Sequence, residues 1–239
     1  MKKDSLSIVF TGGNGRFAKI FKKNINKYKI FYPSKKELNV KNLFSIKNYI
    51  KKIKPKYFIH CAALSRPMSI HGKNIEKSID TNIIGTCNIV KACSEFNIKL
   101  IYFSSNYVYP GLVGNYDEKS PVLPINKYAW SKLGGESAVH LYKNSLILRI
   151  CMTEKPFVHK EAFTDLKLNF MFHEELANNL LKLINLKGIL NVGGISQTVY
   201  NFVKSHSPNI KKTLAKKMLG RKFPLNQSMN VSKFTKIKK

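Results

Sequence analysis

Arginine and acidic residues are scarce in this chain. Of its 42 basic residues only Arg16, Arg66, Arg149 and Arg221 are arginines; acids number 13 and the formal net charge is +29. The lysines are spread over the whole length beside abundant Asn and Ile, a pattern that A/T-rich coding accounts for. Nucleic-acid binders cluster their charge and favour arginine for bidentate contacts. A nucleic-acid partner is therefore not expected, the short basic tail at 233–239 being the one candidate arm, whereas the charge favours anionic substrates. Long apolar runs are missing too: none approaches the ~18–20 residues of a membrane span. The N-terminus, Met1-Lys2-Lys3-Asp4, runs straight into a strand-like segment without the apolar region of a signal peptide. A cytoplasmic protein is expected. The four cysteines, Cys61, Cys87, Cys93 and Cys151, form no CxxC pair and have no paired histidines. Neither a zinc site nor a disulfide framework is expected.

What is present is alternation. Apolar strand-like runs at 5–11, 28–32, 56–62, 99–103 and 145–150 are separated by segments of helical period at 14–26, 43–53, 75–96 and 128–142. Strands alternating with helices over short connections predict an α/β fold with a doubly wound parallel sheet of the Rossmann type. Its strands read as continuous apolar runs because both faces are covered. The core is expected to span 1–150. After Cys151 the pattern weakens to a helix at 174–186, a candidate strand at 188–192 and short helical pieces over 195–239. This region, 151–239, reads as a reduced C-terminal cap packed on the core.

Between the first strand and the first helix stands Thr11-Gly12-Gly13-Asn14-Gly15-Arg16-Phe17-Ala18. Glycines there permit a tight turn and let backbone approach a phosphate at the helix N-terminus, the place of a dinucleotide's pyrophosphate. Ala18 replaces a frequent third glycine. The second strand ends in Tyr32-Pro33-Ser34-Lys35-Lys36, with no acid before Glu37. A hydroxyl and ammonium groups suit a ribose 2′-phosphate, so NADP(H) is favoured over NAD(H), with Ser34 and Lys35 as the contacts.

Tyr128 and Lys132 lie at i and i+4, on one helix face. A phenol ordinarily ionises near ~10, and a neighbouring ammonium is expected to lower that value toward neutrality and make the phenol a proton shuttle. One strand–helix unit earlier, Ser104 and Ser105 close a strand at the carboxyl edge of the sheet, where ligands bind in such folds. Either hydroxyl could hold a substrate carbonyl for hydride transfer.

The glycine loop, Ile59-His60-Cys61-Ala62-Ala63, Asn82-Ile83-Ile84-Gly85, Ser104-Ser105-Asn106-Tyr107-Val108-Tyr109-Pro110-Gly111 and Tyr128–Lys132 followed by Gly135-Glu136 resemble the extended short-chain dehydrogenases/reductases. Within them the chain is most similar to dTDP-4-dehydrorhamnose reductases, with Glu118, Pro121, Pro124 and Asn126 at similar spacing and Arg221–Asn230 resembling a late Arg-Pro-x-x-Ser segment. The resemblance implies an NAD(P)H-dependent oxidoreductase of nucleotide-sugar biosynthesis acting on a 4-keto-6-deoxy sugar nucleotide, and a homodimer. It makes Tyr128 the proton donor, Lys132 its partner, and Ser105, or Ser104 one register away, the hydroxyl at the reacting carbon. Gly12, Gly15, Arg16, Phe17, Ala62, Ala63 and Lys132 would contact the cofactor, with Asn82 helping to hold the site. The family's Asp after the paired hydroxyls is Asn106 here, and its substrate-binding stretch is compressed at 152–173, with His159, His173 and Arg149 as candidate contacts. Two alternatives remain open: an NAD-dependent epimerase or dehydratase, and a non-catalytic dinucleotide-binding sensor.

Overall fold

In the computed structural model, which describes residues 7–24 and 28–238, the alternation becomes a six-stranded sheet. β1 (Ser7–Thr11), α1 (Arg16–Asn24), β2 (Lys29–Phe31), α2 (Leu43–Ile53) and β3 (Tyr57–His60) come first. The short helices α3 (Ile70–Lys73) and α4 (Ile75–Ser78) lead through a π-helical turn, Ile79–Ile84, into α5 (Gly85–Glu95). β4 (Lys99–Ser105), a single 3-10 turn at Asn106–Val108, α6 (Lys127–His140) and β5 (Ser145–Ile150) complete the first part. Then come the short strands β6 (Met152–Thr153), β7 (Glu161–Phe163), β8 (Lys167–Leu168) and β9 (Met171–Phe172), followed by α7 (His173–Leu183) and β10 (Gly188–Val192). The chain closes with β11 (Gln197–Thr198), α8 (Val199–Lys204), β12 (Lys211–Thr213), α9 (Ala215–Leu219) and α10 (Ser232–Lys238).

The main sheet runs β10-β5-β4-β3-β1-β2 and every pairing in it is parallel. Side-chain alternation divides the strands between two cores. Ile8, Phe10, Ile59, Ile101, Phe103, Leu146 and Leu148 face α1 and α7 on one side. Val9, Phe58, Leu100, Tyr102 and Ile147 face α2, α5 and α6 on the other. A third cluster, including Tyr109, Tyr116, Leu166, Leu168, Val199 and Met229, is built largely from the region after β5.

The expected strand at 5–11 is described from Ser7, and positions 25 and 26 of the expected first helix lie outside the described residues. The candidate strand at 188–192 is the sixth strand of the sheet, paired with β5. The expected single helix at 75–96 is interrupted by the π turn. The basic tail is not a free arm: α10 buries Phe234, while Lys233 pairs with Glu118 at 2.7 Å and Lys238 with Glu175 at 2.7 Å. Among the described residues, no helix is long and apolar enough to cross a membrane.

Candidate active site

Strand order reverses at β1. The chain moves to β2 on one side and then crosses to β3 on the other, leaving a crevice at the carboxyl ends of β1 and β3. The glycine turn stands at its edge. Gly12 has φ +81°, and a Cβ there would lie 2.9 Å from the Ala62 backbone nitrogen, so only glycine lets the two strand ends approach. The Gly15 N–H donates to the Gly12 carbonyl at 2.8 Å, closing the turn, and α1 begins one residue later.

Beneath the crevice, buried polar groups lock the strand ends. The Ala62 N–H donates to Thr11 Oγ1 at 3.3 Å, Thr11 Oγ1 lies 2.9 Å from His60 Nδ1, and His60 Nε2 lies 3.1 Å from Thr86 Oγ1. The Thr86 hydroxyl spends its proton on the Asn82 carbonyl. His60 Nε2 must therefore carry the ring proton, and Nδ1 accepts from Thr11. Burial, with Lys132 adding to it, drives the His60 pKa down to about 3, which keeps this relay neutral. Asn82 sits in the π turn. Its Oδ1 accepts from the Leu64 N–H at 2.7 Å, and its Nδ2 donates to the Leu64 carbonyl at 2.9 Å and to Ser131 Oγ at 2.8 Å. It ties the loop after β3 to α6.

α6 starts at Asn126, whose side chain accepts from the Ala129 N–H at 2.8 Å, a cap typically worth ~1 kcal/mol. From it Tyr128 and Lys132 reach the same cleft as Ser105. The cleft measures about 1270 Å³ and runs from the glycine turn, past Ser104, Ser105, Tyr107 and Tyr128, to residues of the C-terminal region. Of the expected cofactor contacts, Gly12, Gly15, Arg16, Phe17, Lys35, Ala62, Ala63, Tyr128 and Lys132 line it. Ser34 and Asn82 do not. The Ser34 N–H donates to Glu37 at 2.8 Å and its hydroxyl accepts from the Glu37 N–H, which turns it to local capping; Asn82 is buried behind the wall.

The two serines separate. Ser104 Oγ donates to Glu136 Oε2 at 2.6 Å inside a buried network: Arg149 holds Glu136 through Nε at 3.0 Å and through Nη2, and donates from Nη1 to Tyr109 at 2.8 Å. Ser105 Oγ accepts from the Tyr107 N–H at 3.2 Å, which leaves its own proton available at the cleft. Arg149, a candidate substrate contact in the sequence, is the buried partner of Glu136, while His159 and His173 line the cleft.

Electrostatics depart from expectation. Burial pushes Lys132 down to about 7, partly offset by Cys61 and Glu136. Its ammonium lies 4.1 Å from the centre of the Tyr102 ring. Burial also raises Tyr128 above the ordinary phenol range, reinforced by Tyr107 and Cys61, and the cation that opposes the rise is Arg66. The expected depression of Tyr128 by Lys132 is not found: desolvation of the phenolate dominates, and Lys132 is not among the charges acting on it. Tyr107 and Arg66, together with Glu154, are cleft residues that sequence reasoning missed. Tyr107 stands two residues after Ser105 in the quoted motif, a signal that could have found it, whereas only the fold brings Arg66 and Glu154 together at the crevice.

A parallel sheet with its glycine turn at the switch point, and a Tyr-x-x-x-Lys helix beside a serine strand end, define an extended short-chain dehydrogenase/reductase-like protein. Residues 6–160 match the RmlD substrate binding domain family, and the chain belongs to it. Among curated proteins it is similar to methionine adenosyltransferase 2 subunit beta of Xenopus tropicalis, 35% identical over 114 residues, covering 47% of this chain and 34% of that protein. The chain thus spans about a third of the length of the curated relatives it matches first. Its fold is that of the Bacillus anthracis dTDP-4-dehydrorhamnose reductase solved with NADP (TM-score 0.86, 23% identity, covering 98% of this chain and 92% of that one). The Thermus thermophilus UDP-glucose 4-epimerase solved with NAD superposes less closely (TM-score 0.72, 14% identity, covering 96% and 91%).

Proposed function

We propose that the chain reduces the 4-keto group of a 6-deoxy sugar nucleotide, with NADPH favoured over NADH. The carrying observation is that Ser105, Tyr128 and Lys132 share one cleft whose opposite ends are the Gly12 turn and the C-terminal region. The Gly12 turn suits a dinucleotide: it is a backbone cradle that a Cβ would fill, beside the exposed amides of a helix start. Gly12, Gly15, Arg16, Phe17, Ala62 and Ala63 would hold that group, and Lys35 faces the end where a 2′-phosphate would add charge. The nicotinamide, when bound, supplies the hydride.

The protein's own groups do the rest. The Ser105 hydroxyl donates to the substrate carbonyl and fixes its orientation. Tyr128, kept protonated by its raised pKa, gives its phenolic proton to the oxygen that gains negative charge during reduction. Arg66, the cation that opposes the rise, favours that transfer by stabilising the phenolate left behind, and Lys132, one turn along the same helix face, would hold the nicotinamide ribose. Asn106, next to Ser105, is an amide where an eliminating enzyme wants an acid, which favours reduction over dehydration. A second reading, a non-catalytic dinucleotide-binding subunit, draws on the likeness to methionine adenosyltransferase 2 subunit beta. The retained Tyr128 and Lys132 speak for turnover.

The test is oxidation of NADPH and of NADH with dTDP-4-keto-6-deoxyglucose and its epimers. Turnover faster with NADPH supports the proposal. Tight cofactor binding with no oxidation by any keto sugar supports the subunit reading instead.

A further inference from the structure

Two of the chain's four arginines converge on a single carboxylate at the cleft. Arg16 opens α1 against the glycine turn, Arg66 stands in the loop after β3, and Glu154 follows β6. Arg16 pairs with Glu154, and Arg66 approaches the same Oε1 at 3.7 Å. All three line the cleft. The guanidiniums therefore reach in from both sides of the switch point, while the acid comes from beyond β5. Their side chains are each 47% exposed, that of Glu154 only 17%.

This grouping does not look like packing. Two cations around one anion leave an excess of positive charge facing the cleft, beside the start of α1. In a chain that uses lysine almost everywhere, the residue suited to bidentate recognition of planar or tetrahedral oxyanions stands at both positions. A carboxylate held by both resembles, in charge and in oxygen geometry, one end of a diphosphate.

The geometry points to an exchange site: Arg16 and Arg66 together bind the diphosphate of a nucleotide, and Glu154 occupies them until that diphosphate displaces it. This rests on the dinucleotide reading above for the source of the diphosphate, because Arg16 stands against the glycine turn. A nucleoside diphosphate on the substrate side offers the same chemistry. The exchange ties binding at the core to the region after β5, since the chain that carries Glu154 loses its hold on α1 as the ligand arrives. It also lowers the apparent affinity, because the ligand must displace a contact already made.

The test is equilibrium binding of NADPH and, separately, of dTDP to the whole protein and to Glu154→Gln. The amide is nearly isosteric with the acid and releases both arginines. NADPH is expected to bind about five-fold more tightly to Glu154→Gln, with dTDP unchanged, and about ten-fold more weakly to Arg66→Met. With Arg16 and Arg66 both replaced by methionine, Glu154→Gln should bring no gain, because the carboxylate acts through them. Tighter dTDP binding alone would support the exchange and place its source on the substrate. Unchanged or weaker binding of both ligands to Glu154→Gln, or an equal gain without the arginines, overturns it. A wild-type protein that binds neither NADPH nor NADH overturns the dinucleotide reading, and the dTDP measurement then decides the exchange by itself.

Discussion

Tyr128 and Lys132 show what spacing in a sequence can and cannot say. The i, i+4 separation put both on one helix face and into one cleft. Their titration was not legible, because it depends on how much low-dielectric protein surrounds each group. Lys132 is 2% exposed and titrates near 7, so an ammonium that belongs in water is held in the interior. An unfolded lysine titrates near ~10.4, so between about pH 7 and that value the unfolded chain binds the extra proton and stability rises with pH. Below about pH 7 both states are charged and the folded one carries the full desolvation cost. Lys132→Met is thus expected to abolish turnover yet stabilise the fold, by roughly 2–4 kcal/mol at pH 6 and hardly at all near pH 10. Denaturant unfolding at the two pH values checks it; a destabilised variant at pH 6 would contradict the buried-cation account.

At the scale of elements, β4 and α6 mesh like two rungs of a ladder. Tyr102 and Ser104, two residues apart on β4, meet Lys132 and Glu136, one turn apart on α6. The Tyr102 hydroxyl donates to the Lys132 carbonyl at 3.0 Å, and Gly135 permits the approach, since a Cβ there would lie 2.7 Å from Tyr102 Oη. The lower rung is a buried ion pair with Arg149. Glu136→Ala leaves that guanidinium unpaired and should cost about 3–5 kcal/mol, whereas Glu136→Leu combined with Arg149→Met should recover most of the loss. Urea midpoints of the two variants decide this; equal losses would mean that the pair does not carry the packing. The long elements were readable because continuous apolar runs marked the buried strands and a period of 3.6 persisted along the helices. The interruption of the helix at 79–84 was not, since a π turn leaves the apolar pattern almost intact. Ser104 and Ser105 were likewise inseparable until Glu136, 32 residues from Ser104, claimed one of them.

Across the whole molecule, the parallel sheet and its switch point were legible because the βα alternation admits few topologies. The C-terminal region was legible only in its helix at 174–186 and its strand at 188–192. Its strands β6, β7, β8, β9, β11 and β12 are two or three residues long, too short for a period, and are held by contacts distant in sequence. Asn169, for example, accepts from the Met229 N–H at 2.6 Å and donates to the Gly194 carbonyl at 2.9 Å. The compression at 152–173 nevertheless leaves a region that lines the cleft through His159, Phe163, Leu168 and His173. In the basic tail, α10 packs through Phe234, and Lys233 and Lys238 pair with Glu118 and Glu175. The most direct test compares Tyr128→Phe with the wild type for turnover of NADPH with the 4-keto sugar nucleotide and for NADPH affinity. Turnover lower by a factor of about 10²–10⁴ with affinity unchanged is the predicted result; undiminished turnover would contradict the assignment of Tyr128 as proton donor.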